Sequence, residues 1–69
     1  MTAMTAHDYA IRRAAKAADR AETELTNARR DAAEAGGFTV GATERVTFWT
    51  AEAQRTRQAL ADLLDQQTP

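Results

Sequence analysis

Two adjacent glycines in the middle of the chain separate two stretches that favour α-helix. The first stretch, residues 6–35, contains no glycine or proline and is rich in good helix formers such as alanine, glutamate and arginine. Gly36 and Gly37 follow it, and glycine readily adopts the left-handed conformation in which many helices end. We therefore expect a first helix of about 30 residues, or about 45 Å, that stops at the glycine pair.

The start of this helix carries a local signature. Thr5 can cap the helix, and Asp8 follows three residues later, as in a variant of the capping box. Met4 and Tyr9 have the spacing of a hydrophobic staple across the same turn. The pattern predicts that the first helix begins at about residue 6.

A short connection, predicted over residues 36–41, leads to a second helix at about 42–66. Thr39 and Gly41 are both candidates for the cap of that helix. We expect Phe38 and Val40 to cover the closed end of the turn. A connection this short makes the two helices antiparallel neighbours. The predicted fold class is therefore an all-α antiparallel two-helix hairpin, a single domain over residues 1–69.

A heptad pattern predicts which residues meet between the helices. The a and d positions, spaced as in coiled coils, are Met4, His7, Ile11, Ala14, Ala18, Ala21, Leu25, Ala28, Ala32 and Ala35 on the first helix and Val46, Trp49, Ala53, Thr56, Leu60, Leu63 and Gln67 on the second. If the chain folds at the glycines, residues whose numbers sum to about 78 face each other, so that Leu25 faces Ala53. Large side chains then meet small ones, which lets the layers interdigitate. The sequence thus predicts a close, coiled-coil-like seam rich in alanine.

The chain is poor in large apolar side chains. Of its 69 residues 43% are hydrophobic, but more than half of those are alanine. Chains below about 70–80 residues usually need disulfides, a metal or a partner to be stable. The absence of cysteine excludes disulfides and thiolate metal sites, and the single histidine excludes a multi-histidine site within one chain. We therefore expect a homo-oligomer, most simply a dimer forming a four-helix bundle, or a larger protein partner. The expected partner interface comprises Tyr9, Ile11, Phe48, Leu60, Leu63 and Leu64.

The sequence offers little that could carry catalysis. It has no phosphate-binding loop, no dinucleotide-binding glycine motif and no catalytic serine motif. His7 lacks a neighbouring thiol and is better explained as a first-turn or interface residue. Asp62 and Asp65 share a helix face, but no Glu-x-x-His motif completes a metal set. The expectation is a non-enzymatic protein with no catalytic residue, no metal and no cofactor.

Nucleic-acid binding is the alternative function. Rows of basic residues on a hairpin dimer could contact RNA or DNA, with an aromatic side chain stacking on a base. The net charge of −1 and interleaved acidic residues favour a solvated surface instead, and Glu52 stands three residues before Arg55, where it can pair locally. The possible contacts are Arg12, Arg13, Lys16, Arg20, Arg55 and Arg57.

Composition gives a weaker indication of the setting. Eight arginines against one lysine, with abundant alanine, threonine and aspartate, are typical of a GC-rich genome such as that of an actinobacterium or its phage. No stretch approaches the ~20 apolar residues of a membrane span, and no signal-peptide pattern is present at the start. We therefore expect no membrane contact and a cytoplasmic or virion location. The expected role is an assembly or adaptor component of a phage particle, or a phage or bacterial regulator that binds a host protein.

Overall fold

The computed structural model describes residues 4–36 and 39–66, and these form two α-helices. Helix α1 spans Ala6–Glu34 and helix α2 spans Val40–Asp65, with no strand among the described residues. The helices pack side by side in a molecule measuring 52 × 23 × 13 Å. The all-α helical hairpin is thereby confirmed. A thickness of 13 Å corresponds to a single helix layer, so both broad faces of the hairpin are open to solvent.

The predicted capping box at the start of α1 is confirmed. The Asp8 backbone N–H donates to Thr5 Oγ1 at 3.0 Å, and the Thr5 backbone N–H donates to Asp8 Oδ2 at 3.3 Å. These two bonds satisfy donors that have no partner within the helix. The two residues of the predicted staple, Met4 and Tyr9, are both exposed.

The connection differs from its predicted extent. Thr39 caps α2, accepting a hydrogen bond from the Ala42 backbone N–H at 3.2 Å, so the helix begins at Val40 rather than at about 42. Gly41 lies in the first turn, since it has no side-chain oxygen with which to compete for the cap. The expectation that Val40 covers the closed end is wrong, because 77% of this residue is exposed. Gly37 and Phe38 lie outside the described residues, as does the predicted seam residue Gln67.

Gly36 ends α1 in the left-handed conformation that the sequence predicts, with φ +84°. A Cβ at this position would meet no atom within 4 Å, so the cost of a substitution comes from the backbone alone. We expect Gly36→Ala to lower the free energy of unfolding by about 1 kcal/mol.

Gly41 provides a matched control for this prediction. It has helical backbone geometry and equally open surroundings. Gly41→Ala is therefore expected to raise the free energy of unfolding by about 0.4–1 kcal/mol. Chemical denaturation of both variants measures the two effects, and equal signs would contradict the assignment of the turn.

Burial follows the predicted heptad in the middle of the hairpin but not at its ends, where the predicted seam residues Met4 and Ala35 are exposed. The fully buried residues all occupy a or d positions, and they are Ala21, Leu25, Ala28, Ala32, Ala53 and Thr56. Ala21, Leu25 and Ala53 form one cluster, against which Val46 and Trp49 pack. The predicted meeting of Leu25 with Ala53 is confirmed by this cluster. Leu25 is also the one large apolar side chain in the buried set of the described residues.

Two exposed ion pairs between the helices show their relative register and direction. Arg57 Nη2 contacts Glu22 Oε1, and Arg45 Nη1 lies 3.7 Å from Asp31 Oδ2. The later residue of α1, Asp31, pairs with the earlier residue of α2, Arg45, so the helices run antiparallel. Both pairs fall within about two residues of the register that the alternation of large and small residues predicts.

The buried threonine of the seam is satisfied within its own helix. The Thr56 hydroxyl lies 2.7 Å from the Glu52 carbonyl and 3.2 Å from the Ala53 carbonyl, and it donates to them. Bonding to the preceding turn spares the hydroxyl the desolvation cost of an unpaired buried donor. A polar residue can therefore occupy this d position without a partner from α1.

Candidate functional site

Five of the six predicted partner residues gather at the open end of the hairpin, where the start of α1 meets the end of α2. Tyr9 and Leu64 are 58% and 44% exposed, whereas Ile11, Leu60 and Leu63 are half-buried along the seam. We call these five residues the open-end patch. Tyr9 and Leu64 present apolar surface that the hairpin does not cover. Tyr9 and Ile11 are two residues apart on α1 and point in roughly opposite directions, so the patch extends around this end of the hairpin rather than lying on one face.

Phe48 lies apart from that patch. It is 52% exposed, and its ring packs edge-to-face against Trp49, with ring centroids 5.0 Å apart. Twelve residues of α2 separate Phe48 from Leu60, which corresponds to about 18 Å along the helix. The predicted interface is thus two apolar areas, the open-end patch and the aromatic pair Phe48–Trp49 nearer the closed end.

A groove runs along one broad face between the helices. It has a volume of about 330 Å³ and is lined by Ala17, Arg20 and Ala21 of α1 and by Trp49, Glu52, Arg55 and Thr56 of α2. We call this side of the molecule the groove face. Sequence reasoning placed Trp49 in the seam and missed the groove. The sequence feature that could have predicted the groove is the small size of Ala17 and Ala21, which cannot cover Trp49 completely.

The aromatic pair also borders a second depression on α2. This depression, of about 340 Å³, is lined by Gly41, Glu44, Arg45, Phe48 and Trp49. The two aromatic rings form its apolar wall. Gly41 leaves space beside them because it has no side chain. Trp49 lines both the depression and the groove, so the aromatic pair connects them into one surface.

These surfaces match no protein that could assign a role to them. Comparisons with protein-family models, with curated proteins and with solved structures find no match to this chain. The geometry and chemistry of the chain itself therefore carry the functional argument.

The six basic residues that the sequence singled out are all exposed, but they do not form one surface. Arg12, Arg13, Lys16 and Arg20 lie on α1. On α2, Arg55 lines the groove, whereas Arg57 reaches across to Glu22. Residues two apart on a helix point in roughly opposite directions, so Arg55 and Arg57 lie on opposite broad faces. A single nucleic-acid strand on one face cannot contact all six residues.

Arg55 forms the local ion pair with Glu52 that their spacing predicts. Arg55 Nε donates to Glu52 Oε1 at 3.1 Å, and Nη2 donates to Oε2 at 2.7 Å, so both carboxylate oxygens are engaged. The hydrogen bonds from Arg55 and its charge hold the pKa of Glu52 below its usual value, and the same contacts raise the pKa of Arg55. Both groups stay charged at neutral pH, and the guanidinium is less available to a nucleic-acid phosphate.

His7 is half-buried at a d position in the first turn of α1. Its buried Nε2 atom has no hydrogen-bond partner among residues 4–36 and 39–66. Within those same residues, no three side chains of the metal-binding types His, Cys, Asp and Glu come together.

Neither helix resembles a membrane span. Across the described part of the chain, no helical segment combines the length and the apolar character needed to cross a bilayer.

Proposed function

We propose that this chain is a non-enzymatic protein–protein interaction module, a small helical hairpin that self-associates and serves as an assembly or adaptor component. The observation that carries the proposal is the distribution of its apolar side chains. The described core holds four alanines and one leucine, whereas Met4, Tyr9, Val40, Phe48 and Leu64 are between 44% and 77% exposed. Exposed apolar side chains that lie together, as Phe48 does with Trp49, mark interaction sites.

A second hairpin is the simplest cover for these side chains. Each hairpin is one helix thick, so half of every helix surface remains wet. Packing two hairpins face to face forms a four-helix bundle, in which those surfaces become a shared core. Full burial of an exposed large apolar side chain contributes about 1.5–3 kcal/mol, so covering side chains that are 44% to 77% exposed would contribute roughly half of that each, a substantial gain for a monomer with one large buried side chain.

The setting of this role is part of the proposal. The arginine-rich, alanine-rich composition supports a phage or actinobacterial origin, with the protein acting in the cytoplasm or in a virion assembled there. In such a setting the dimer would act as a structural component of the particle, or as a regulator that docks on a host protein. Either role needs an exposed binding surface and no catalytic group.

Solution mass across a concentration series, with circular dichroism recorded beside it, tests self-association. The proposal expects a helical dimer that dissociates on dilution. A helical monomer at every concentration would overturn self-association. A chain of low helicity that folds only in the presence of another protein would overturn it as well, and would make that protein the partner.

Removal of the exposed aromatic ring tests which surface associates. We expect Phe48→Ala to leave the helical circular dichroism signal of the monomer intact and to weaken dimerisation about 10-fold or more, since an aromatic side chain buried at an interface contributes about 1.5–3 kcal/mol. Val40→Ala is the control, because Val40 is more exposed and lies outside the aromatic pair. Loss of helicity in Phe48→Ala would place the ring in the monomer core instead.

The second candidate function is nucleic-acid binding. Its supporting observation is that Arg12, Arg13, Lys16 and Arg20 are exposed and take part in no ion pair with another residue of the described ranges. Fluorescence anisotropy with short RNA and DNA duplexes distinguishes the candidates. Nucleic-acid binding requires an affinity that falls steeply as salt is added. Absence of binding at low salt would remove this candidate and leave self-association unaffected.

A further inference from the structure

Helix α1 carries a stripe of four charged residues with symmetric spacing. The stripe consists of Arg13, Arg20, Glu24 and Asp31, which are separated by seven, four and seven residues. These separations are close to whole turns of an α-helix, so the four residues share one side. Arg20 lines the groove, and Asp31 pairs with Arg45 of α2. The charge stripe therefore lies on the groove face, basic in its first half and acidic in its second.

In a second copy that runs antiparallel, the four charged residues follow one another in the opposite order along the interface. Arg13 then meets the position of Asp31, and Arg20 meets the position of Glu24, so each of the four positions faces the opposite charge. We propose that the groove face is the homodimer interface and that two copies pack on it with their α1 helices antiparallel, about a two-fold axis near residue 22. This inference rests on the proposed function, because it names the surface through which the chain self-associates.

On helix α2, Trp49 and Leu63 are placed symmetrically about Thr56, which lies level with residue 22 of α1. The Glu22–Arg57 contact places residue 22 of α1 level with residues 56 and 57 of α2. Trp49 stands seven residues before Thr56, and Leu63 stands seven residues after it. An antiparallel α2 from a second copy would therefore lay the tryptophan of each chain over the leucine of the other. The charge stripe of α1 and the spacing of Trp49 and Leu63 on α2 fit the same axis, which passes through the middle of the groove. The two Arg55 side chains also lie near this axis, and their charges are offset within each copy by the bidentate pair with Glu52.

The two patterns contribute different things to association. Exposed ion pairs add little affinity, whereas like charges brought together at an interface are strongly unfavourable. The apolar contacts of Trp49 and Leu63, with Phe48 beside them, would supply the affinity. The charge stripe would select the antiparallel orientation and exclude the parallel one. Asp31 can accept hydrogen bonds from Arg13 of the second copy while it contacts Arg45, because a carboxylate offers about four acceptor positions.

Charge reversal tests the orientation. Arg13→Glu combined with Arg20→Glu makes the stripe wholly acidic, and Glu24→Arg combined with Asp31→Arg makes it wholly basic. At low salt we expect each double variant alone to dimerise at least about 10-fold more weakly than the original chain. An equimolar mixture is expected to form a heterodimer at least as tight as the original homodimer. Native mass spectrometry separates the three dimers by mass, and circular dichroism confirms that each variant is helical.

A matched control removes the effect of net charge. Arg12→Glu combined with Arg29→Glu changes the charge by the same amount outside the stripe, and it is expected to leave dimerisation within about 2-fold of the original. A chain that is monomeric at every concentration overturns the proposed function and this inference together. A dimer that tolerates both charge-reversed stripes overturns the inference alone. Weakened variants whose mixture fails to recover would also overturn the antiparallel arrangement.

Cysteine cross-linking provides a second measurement that does not depend on charge-reversed variants. The chain contains no cysteine, so single substitutions report on their own contacts. In the antiparallel dimer, Arg13→Cys chains cross-link with Asp31→Cys chains under mild oxidation. Two copies of Arg13→Cys cannot cross-link, because about 27 Å would separate positions that a disulfide brings within about 7 Å. Self-cross-linking of Arg13→Cys with no mixed product would show a parallel dimer and overturn the inference.

Discussion

Leu25→Ala is expected to remove most of the stability of this protein. Leu25 is 7% exposed and belongs to the cluster with Ala21 and Ala53. Truncation of a buried leucine to alanine costs about 2–5 kcal/mol, which combines the lost transfer free energy with the cavity that remains. The free energy of unfolding of a domain of this length is only about 3–10 kcal/mol in total. Because Ala21 and Ala53 cannot extend into the space, and only Val46 and Trp49 could move toward it, we expect a cost in the upper half of that range.

The measurement is urea denaturation, followed by circular dichroism at several protein concentrations. Concentration matters because dimerisation adds to the apparent stability of each chain. Leu64→Ala is the matched control, since it removes the same atoms from a residue that is 44% exposed. We expect the control to lose less than half as much stability as Leu25→Ala at the lowest concentration. Equal losses would mean that the cluster around Leu25 is not the core of the monomer.

The features that the sequence predicts correctly depend on short spacings or on the pairing of two periodic patterns. The capping box needs only Thr5 and Asp8 three residues apart, and the helix end needs only a glycine at position 36. The register follows because it sets a large residue opposite a small one, as with Leu25 and Ala53, whereas a shifted alignment would lose this match. Each of these choices is local or is strongly constrained by volume.

The features that sequence reasoning misses depend on the angular position of residues around a helix and on their height along it. The start of α2 was set by competition between two possible caps, which the Thr39 hydroxyl wins. The distance between Phe48 and the open-end patch follows from the length of α2, which separates residues that composition treats as one group. Arg57 faces away from Arg55 because a step of two residues turns a helix by more than half a revolution.

The groove face, which we propose as the interaction surface, combines these features. Composition identifies too few large apolar residues for a self-sufficient core, but it does not indicate where the missing contacts lie. The hairpin geometry brings Trp49, the small residues of α1 and the charge stripe to one side. A reader of the sequence alone sees Arg13 and Arg20 as part of a basic row, whereas their relation to Glu24 and Asp31 becomes meaningful once all four share a face.

Overpacking the seam is expected to reveal how closely the two helices approach. Ala28 is 2% exposed, and a leucine there must fit three additional carbon atoms between helices that alanine keeps close together. We expect Ala28→Leu to lower the free energy of unfolding by about 1–3 kcal/mol, although leucine and alanine are both good helix formers. Ala15→Leu is the control, because Ala15 is exposed, and it should change stability by no more than about 0.5 kcal/mol. If Ala28→Leu were as stable as this control, the seam would have to contain free volume, and the alanines at its d positions would then reflect helix propensity rather than packing.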